Sequence, residues 1–308
     1  MSIPDPGFPL LNTLAPQATP HSDSDIEAKM RLEVRGIGIP PRPAILDQIT
    51  REMDKDEPDF KYLADIISSD VGLSASLIKV ANSPFFGFGK KVRSVREALL
   101  VLGLKIIVRT IAGLSLQKTF PHIPNLEQFW AASAATARVS GWLAQQIKGP
   151  HRVRSDDAYT FGLFRDCGIP VLMIPFPEYQ GILKKANAEP LLAFTTVEDQ
   201  MLSINHAIVG AELAEEWLLP EEIHHAIRHH HELAALEAGA SVAMPEIARR
   251  LIAIAQIAEY LIQRHTASSQ ANEWLKLGDA CLGLLELKHD DLERIYESSH
   301  AAVSGDAD

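Results

Sequence analysis

The chain predicts an all-α fold of two helical lobes in series. Hydrophobic positions recur at three- and four-residue spacing along most of its 308 residues, and no run alternates with period two for long enough to demand a strand. Composition agrees: aromatic residues are only 6%, while Ala and Leu are plentiful, which favours helices over sheets. With 46% hydrophobic and 22% charged residues the chain can bury a sizeable core.

Residues 1–24 are rich in Pro, Ser and Thr and read as a flexible or loosely docked tail. A helical pattern begins at Asp25 and ends at Gly36-Ile37-Gly38. IPPRPAIL then enforces an extended entry into a helix through Ile45, Ile49 and Met53. Asp59 is placed to cap the next helix, with Leu63, Ile66 and Ile67 on one face. VGLSASLIKVANS repeats the logic through Leu73, Leu77 and Val80. After the glycine-broken PFFGFGKK, the capping box Ser94-Val95-Arg96-Glu97 opens an apolar helix ending near Gly103, and Lys105–Phe120 gives another. PHIPN, with Pro121 and Pro124, divides an N-terminal lobe (25–120) from a C-terminal lobe (121–300). In the second lobe helices are expected over Gln128–Ile147, over Asp156–Leu172 with an interruption near Gly168 and Pro170, and over a long amphipathic Phe194–Leu218. A shorter helix starts at Pro220, followed by Met244–His265 and a tail helix from about Asp290.

A net charge of −11 opposes general binding to nucleic acid or to an anionic membrane. Two cysteines, Cys167 and Cys281, are too few for a disulfide framework or a zinc clip, and buried inert thiols are the plain reading. The N-terminus lacks the cationic and apolar regions of a secretory signal, and the most apolar stretch, Ala98–Leu116, is broken by Lys105 and Arg109. A cytoplasmic location is expected.

Six of the twelve histidines fall between His206 and His231, the strongest chemical signal in the chain. Imidazoles and carboxylates converging from separate helices could hold zinc, iron or manganese. Successive helical residues point about 100° apart, so His229, His230 and His231 cannot all face one ion. His225 and His229 share a face, but Ala226 stands where an HExxH motif needs Glu.

The segment INHAIVGAELAEEWLLPEEIHHAIRHHHE, residues 204–232, resembles the signature of HDOD domains, the HD-related output domains of bacterial signalling. IPPRPAIL and LADIISSDVGLSASLIKVANSPFFGFGKKVRSVREALLVLGLKII are similar to that family's N-terminal half, so the likeness covers roughly residues 30–260. It implies an HD-like C-terminal lobe, a degenerate relative of the HD phosphohydrolases, whose metal site uses an early His, a His-Asp pair, later histidines and a late Asp. On that pattern Ala132 stands at the first His, Arg165-Asp166 at the His-Asp pair, His206, His230 and His231 at the later histidines, and Gln256 at the final Asp. Arginine is a permanent cation with no lone pair and alanine offers no ligand, so a vestigial site is expected, with no metal, no cofactor and no catalytic residue.

Each residue also has a plain structural reading: packing and hydrogen bonding for the histidines, an intramolecular ion pair or an anion pocket for Arg165-Asp166. Lys90, Lys91, Arg93 and Arg96 read as a solvated helix start or as an anion or partner patch, and Phe85, Phe86 and Phe88 as an exposed contact loop or a plug in the seam between lobes. GFG at 87–89 is not a P-loop, because GK[ST] does not follow. The expectation is a non-catalytic bacterial signalling module that binds protein partners or a nucleotide. The alternative is a metal-dependent phosphohydrolase or cyclic-dinucleotide phosphodiesterase using Asp166, His206, His230 and His231.

Overall fold

Prolines and capping side chains set where the helices of the N-terminal half begin. The computed structural model describes residues 36–83, 86, 91–120, 123, 126–147, 152–237, 244–267 and 272–305. The tail 1–24, most of the helix expected from Asp25, Lys90, Phe85, Phe88 and most of PHIPN lie outside these residues. Every regular element among the described residues is a helix.

Five helices form the first half: α1 (Ala44–Met53), α2 (Phe60–Ser68), α3 (Val71–Ala81), α4 (Val95–Leu102) and α5 (Leu104–Thr119). Pro43 precedes α1; Asp59 accepts from the Lys61 and Tyr62 amides, and Asp70 from that of Leu73. Ser94 caps α4 by accepting from the Glu97 amide at 3.2 Å, but the Glu97 carboxylate reaches the amide of Arg93 rather than that of Ser94, so the expected box closes one residue early. Gly103, at φ +75°, makes the sharp joint between α4 and α5. Leu46, Ile49, Leu63, Ile67, Leu73 and Leu77 are sealed from water on the inward faces, each stabilising the fold by roughly 1.5–3 kcal/mol.

The second half runs through α6 (Leu126–Gln146), α7 (Ser155–Phe164), α8 (Gly168–Met173), α9 (Tyr179–Ala188), α10 (Phe194–Leu202), α11 (His206–Glu216), α12 (Glu221–His229), α13 (Leu233–Leu236), α14 (Glu246–Thr266), α15 (Glu273–Leu284), α16 (His289–Ser298) and α17 (His300–Ser304). Helix α14 is its axis, burying Leu251 through Ala258 and Leu261 against α6, α12 and α15. Gly162 lets α7 lie close along α6, since a Cβ there would stand 2.9 Å from the Cα of Ala137. One hydrophobic core runs from Leu46 to Leu292 through both halves. The halves are tied where Arg109 on α5 pairs with Asp156 (3.1 Å) and Asp157 (2.5 Å) on α7, and where the Trp217 indole donates to the Pro40 carbonyl at 3.0 Å.

The expected helix Phe194–Leu218 is instead two. Ser203 adopts a left-handed conformation at φ +58°, and Asn205 caps the new helix by accepting from the Ile208 amide. The interruption expected near Gly168 and Pro170 falls earlier, at Arg165–Cys167. Helices α9, α13 and α15 were not anticipated from periodicity. No helix among the described residues is long and apolar enough to cross a membrane.

Candidate functional site

Helix breaks place the chemically active side chains. Asp166 stands in the turn between α7 and α8, and His206 is the first residue of α11. Gly168 brings the two together: a Cβ on it would lie 2.1 Å from the His206 carbonyl oxygen. Helix α12 ends at His229, so helical spacing no longer governs His230 and His231, and both turn inward. His229 turns to Glu232 (3.0 Å) and His225 to Glu221 (3.5 Å), outside the cluster.

Asp166, His206, His230 and His231 offer ligand atoms that all lie within 4.8 Å of one another. Nε2 of His206 is 3.3 Å from Nε2 of His230 and 3.2 Å from Nε2 of His231. Oδ1 of Asp166 is 3.6 Å from the His206 Nε2 and 3.3 Å from that of His230. The three rings are sealed at 0%, 2% and 4% exposure, while the Asp166 side chain keeps 28%.

Each imidazole is oriented through its other nitrogen. Nδ1 of His206 donates to Glu198 (2.7 Å), that of His230 to the Ile227 carbonyl (2.7 Å) and that of His231 to Glu273 (2.9 Å). With Nδ1 directed at these oxygens, each Nε2 is left facing the centre, as a lone pair in a neutral ring and as a donor in a protonated one. The Tyr179 hydroxyl donates to the other oxygen of Glu198, and Lys276 pairs with that of Glu273 at 2.8 Å. Phe194 stacks on the His231 ring and meets the His206 ring edge-on.

Burial would lower His206, but the carboxylates of Glu198 and Asp166 outweigh it and push its pKa up to about 9. Burial, with His230 beside it, drives His231 down to about 3, and burial also lowers His230. Burial would raise Asp166, yet Arg165 and its bonds to His206 and His230 hold it well below the usual carboxylate range. Burial likewise opposes Glu273, but His231 and Lys276 bring it to about 2.

Three Nε2 atoms facing one another at such range need a proton or a cation between them, and His206 carries that proton below about pH 9 when no ion is bound. Zinc–nitrogen and zinc–oxygen bonds of about 2.1 Å set the edge of a tetrahedral ligand shell at about 3.4 Å. Four of the six separations span 3.2–3.6 Å, and all six lie within 4.8 Å. With every Nδ1 held by a carboxylate or carbonyl, as metal-bound histidines are, the residues fit a divalent ion. Imidazole and carboxylate donors suit zinc, iron or manganese.

Of the residues singled out on sequence, the structure unites Asp166, His206, His230 and His231, with Arg165 alongside. The Arg165 guanidinium lies 3.3 Å from Asp166 Oδ2 and 3.1 Å from Glu259, and is buried. Asp166 thus faces the cation with one oxygen and the imidazoles with the other. Ala132 is exposed on α6 and Gln256 is buried on α14. The positions expected to be vestigial, Asp166, His206, His230 and His231, converge without help from 132 and 256, and these three imidazoles and one carboxylate are spaced as a divalent ion would need. Lys91, Arg93 and Arg96 stand apart, exposed at the start of α4. Glu198, Glu273, Tyr179 and Glu259 escaped the sequence reading. Only Glu259 had a signal, one turn beyond Gln256 on the same helix.

The HDOD domain family model matches residues 39–233. Residues of the chain are 30% identical over 199 positions to an uncharacterized protein of Treponema pallidum; the match takes in 63% of this chain and only 38% of that protein. Among solved structures it is similar to an HDOD domain protein of Geobacter sulfurreducens (21% identity, 91% of this chain and 96% of that one, TM-score 0.64). It is also similar to a candidate phosphohydrolase of Shewanella amazonensis (17%, 90% and 96%, 0.65) and to a candidate signal transduction protein of Marinobacter aquaeolei (21%, 91% and 64%, 0.58). At these identities the likeness is one of fold.

Proposed function

This chain belongs to the HDOD family, and we propose that it is a binding module of bacterial signal transduction, clasped around a closed metal centre, and not a hydrolase. The observation that carries this reading is the closure of the cluster. Three imidazoles at 0–4% exposure plus Asp166 supply four protein donors, the complement of a structural zinc site, whereas catalytic sites keep a position for water or substrate. Asp166, His206, His230 and His231 would hold the ion. When bound, such an ion joins the α7–α8 turn, α11 and the end of α12, and neutralises a buried cluster of polar groups. Glu198 and Glu273 keep the histidine protons on Nδ1, and Arg165 holds Asp166 from its other side. The module would then act through its surface, binding protein partners or a small ligand.

A second reading, a metal-dependent phosphohydrolase or cyclic-dinucleotide phosphodiesterase, is favoured by one observation: the Asp166 side chain retains 28% exposure, an opening through which a substrate oxygen could enter if coordination expanded. Elemental analysis of protein purified without chelators, paired with phosphodiester hydrolysis assays in manganese, iron and magnesium, separates the two. Metal with no turnover supports the binding module. Turnover abolished by His206→Ala overturns it.

A further inference from the structure

Helix α7 has the histidine cluster beyond its C-terminal end and a cleft at its N-terminal end, on the seam of the two halves. The cleft encloses about 520 Å³ and is lined by Phe86, Ile106, Arg152, Val153, Arg154 and Asp156, among others. A narrower recess shares Phe86, Ile106 and Asp156 and continues inward to Arg109 and Tyr159. That volume lies within the range of about 300–1,000 Å³ typical of small-molecule sites.

The lining has two kinds of surface. Ile106 and Val153 form an apolar floor, and the half-buried Phe86 ring lies 6.1 Å from that of Tyr159, so a planar group has an aromatic neighbour to lie against. The rim is cationic. Arg152 is exposed and makes no ion pair or hydrogen bond with any described residue. Arg154 is 61% exposed and Arg109 lies behind it, both paired with Asp156. Counting Asp157 as well, three guanidinium groups face two carboxylates, a local excess of one positive charge in a chain of net −11. The first-turn amides of α7 open here without a side-chain cap from Arg154, adding donors that favour an anion.

We propose that this cleft binds a nucleoside phosphate, the base against Phe86 and the phosphate taken by Arg152 and Arg154 at the start of α7. The proposal deepens the reading of the chain as a binding module, and it does not depend on the metal centre.

Calorimetric titration of the full chain with AMP, GMP and inorganic phosphate tests it. At least one nucleotide is expected to bind saturably, and inorganic phosphate far more weakly. Arg152→Glu should weaken the nucleotide about tenfold or more, as loss of one charge-assisted contact predicts. Phe86→Ala should weaken it several-fold, with the helical circular dichroism of both variants unchanged. Binding that survives His206→Ala keeps the site at the seam. Binding lost in that variant places the nucleotide at the histidine cluster and overturns the assignment. No saturable binding at millimolar nucleotide, or affinity unchanged in Arg152→Glu, also overturns it.

Discussion

In chelator-stripped protein, stability should depend on pH through a carboxylate that no solvent reaches. Folding moves His206 from 6.5 to about 9, so the folded state holds that proton more tightly than the unfolded chain does. The stability this contributes is complete below pH 6.5 and is lost as pH rises through about 9. The displacement corresponds to about 3 kcal/mol at about 1.4 kcal/mol per pH unit. His231 acts in the opposite window: its folded value of about 3 lies below 6.5, so stability is lost as pH falls from 6.5 towards 3. These two groups together place a maximum near pH 6.5. Glu198→Gln removes the charge that accepts from His206 at 2.7 Å and leaves burial to lower its pKa, so the alkaline loss should shrink to about 1 kcal/mol or less. Urea unfolding followed by circular dichroism at about pH 6.5 and 9.5, in EDTA, measures both. Equal wild-type stability at the two values, or the same loss in the variant, would mean that Glu198 does not hold the His206 proton.

Three further outcomes follow from named contacts. Gly168→Ala sets a Cβ 2.1 Å from the His206 carbonyl and 2.7 Å from the Gly210 amide. Backbone must move, so thermal unfolding should show a loss of roughly 3 kcal/mol or more, and zinc binding should fall with it. Arg109→Met leaves Asp157, already raised by burial, without its partner across the seam; a loss of about 3 kcal/mol near neutrality is expected, partly recovered towards pH 5 as the carboxyl takes a proton. Trp217→Phe forfeits the bond to Pro40 and should cost about 1 kcal/mol, with faster proteolysis near residue 40.

Much of the N-terminal half was legible because its signals are local. Asp59 and Ser94 cap the helices they precede, and Leu63, Leu73 and Leu77 point where periodicity sends them. The site was legible only in its members. His206, His230, His231 and Asp166 could be picked out, but their convergence depends on three breaks that apolar spacing does not register: the Arg165–Cys167 turn, the left-handed Ser203 with the Asn205 cap, and the end of α12 at His229. Read as one helix, Phe194–Leu218 carries Glu198 and His206 away from each other; broken at Ser203, it folds the carboxylate back onto the ring. Glu273 was invisible for a related reason, since it opens α15, a helix beyond the stretch in which histidines drew attention. Matching positions to the HD pattern emphasised absences at 132, 165 and 256, whereas the geometry turns on donors that remain.

The proposed function stands on three imidazoles and Asp166 forming a closed seat for one divalent ion. Calorimetric titration of chelator-stripped protein with zinc near pH 7.5, in two buffers of different ionisation enthalpy, tests it most directly. Saturation at one ion per chain is expected, with release of close to one proton as His206 gives up the charge it holds below about 9, and with both abolished by His230→Ala. Failure of zinc to bind saturably at micromolar concentration, or binding undiminished in that variant, would contradict it.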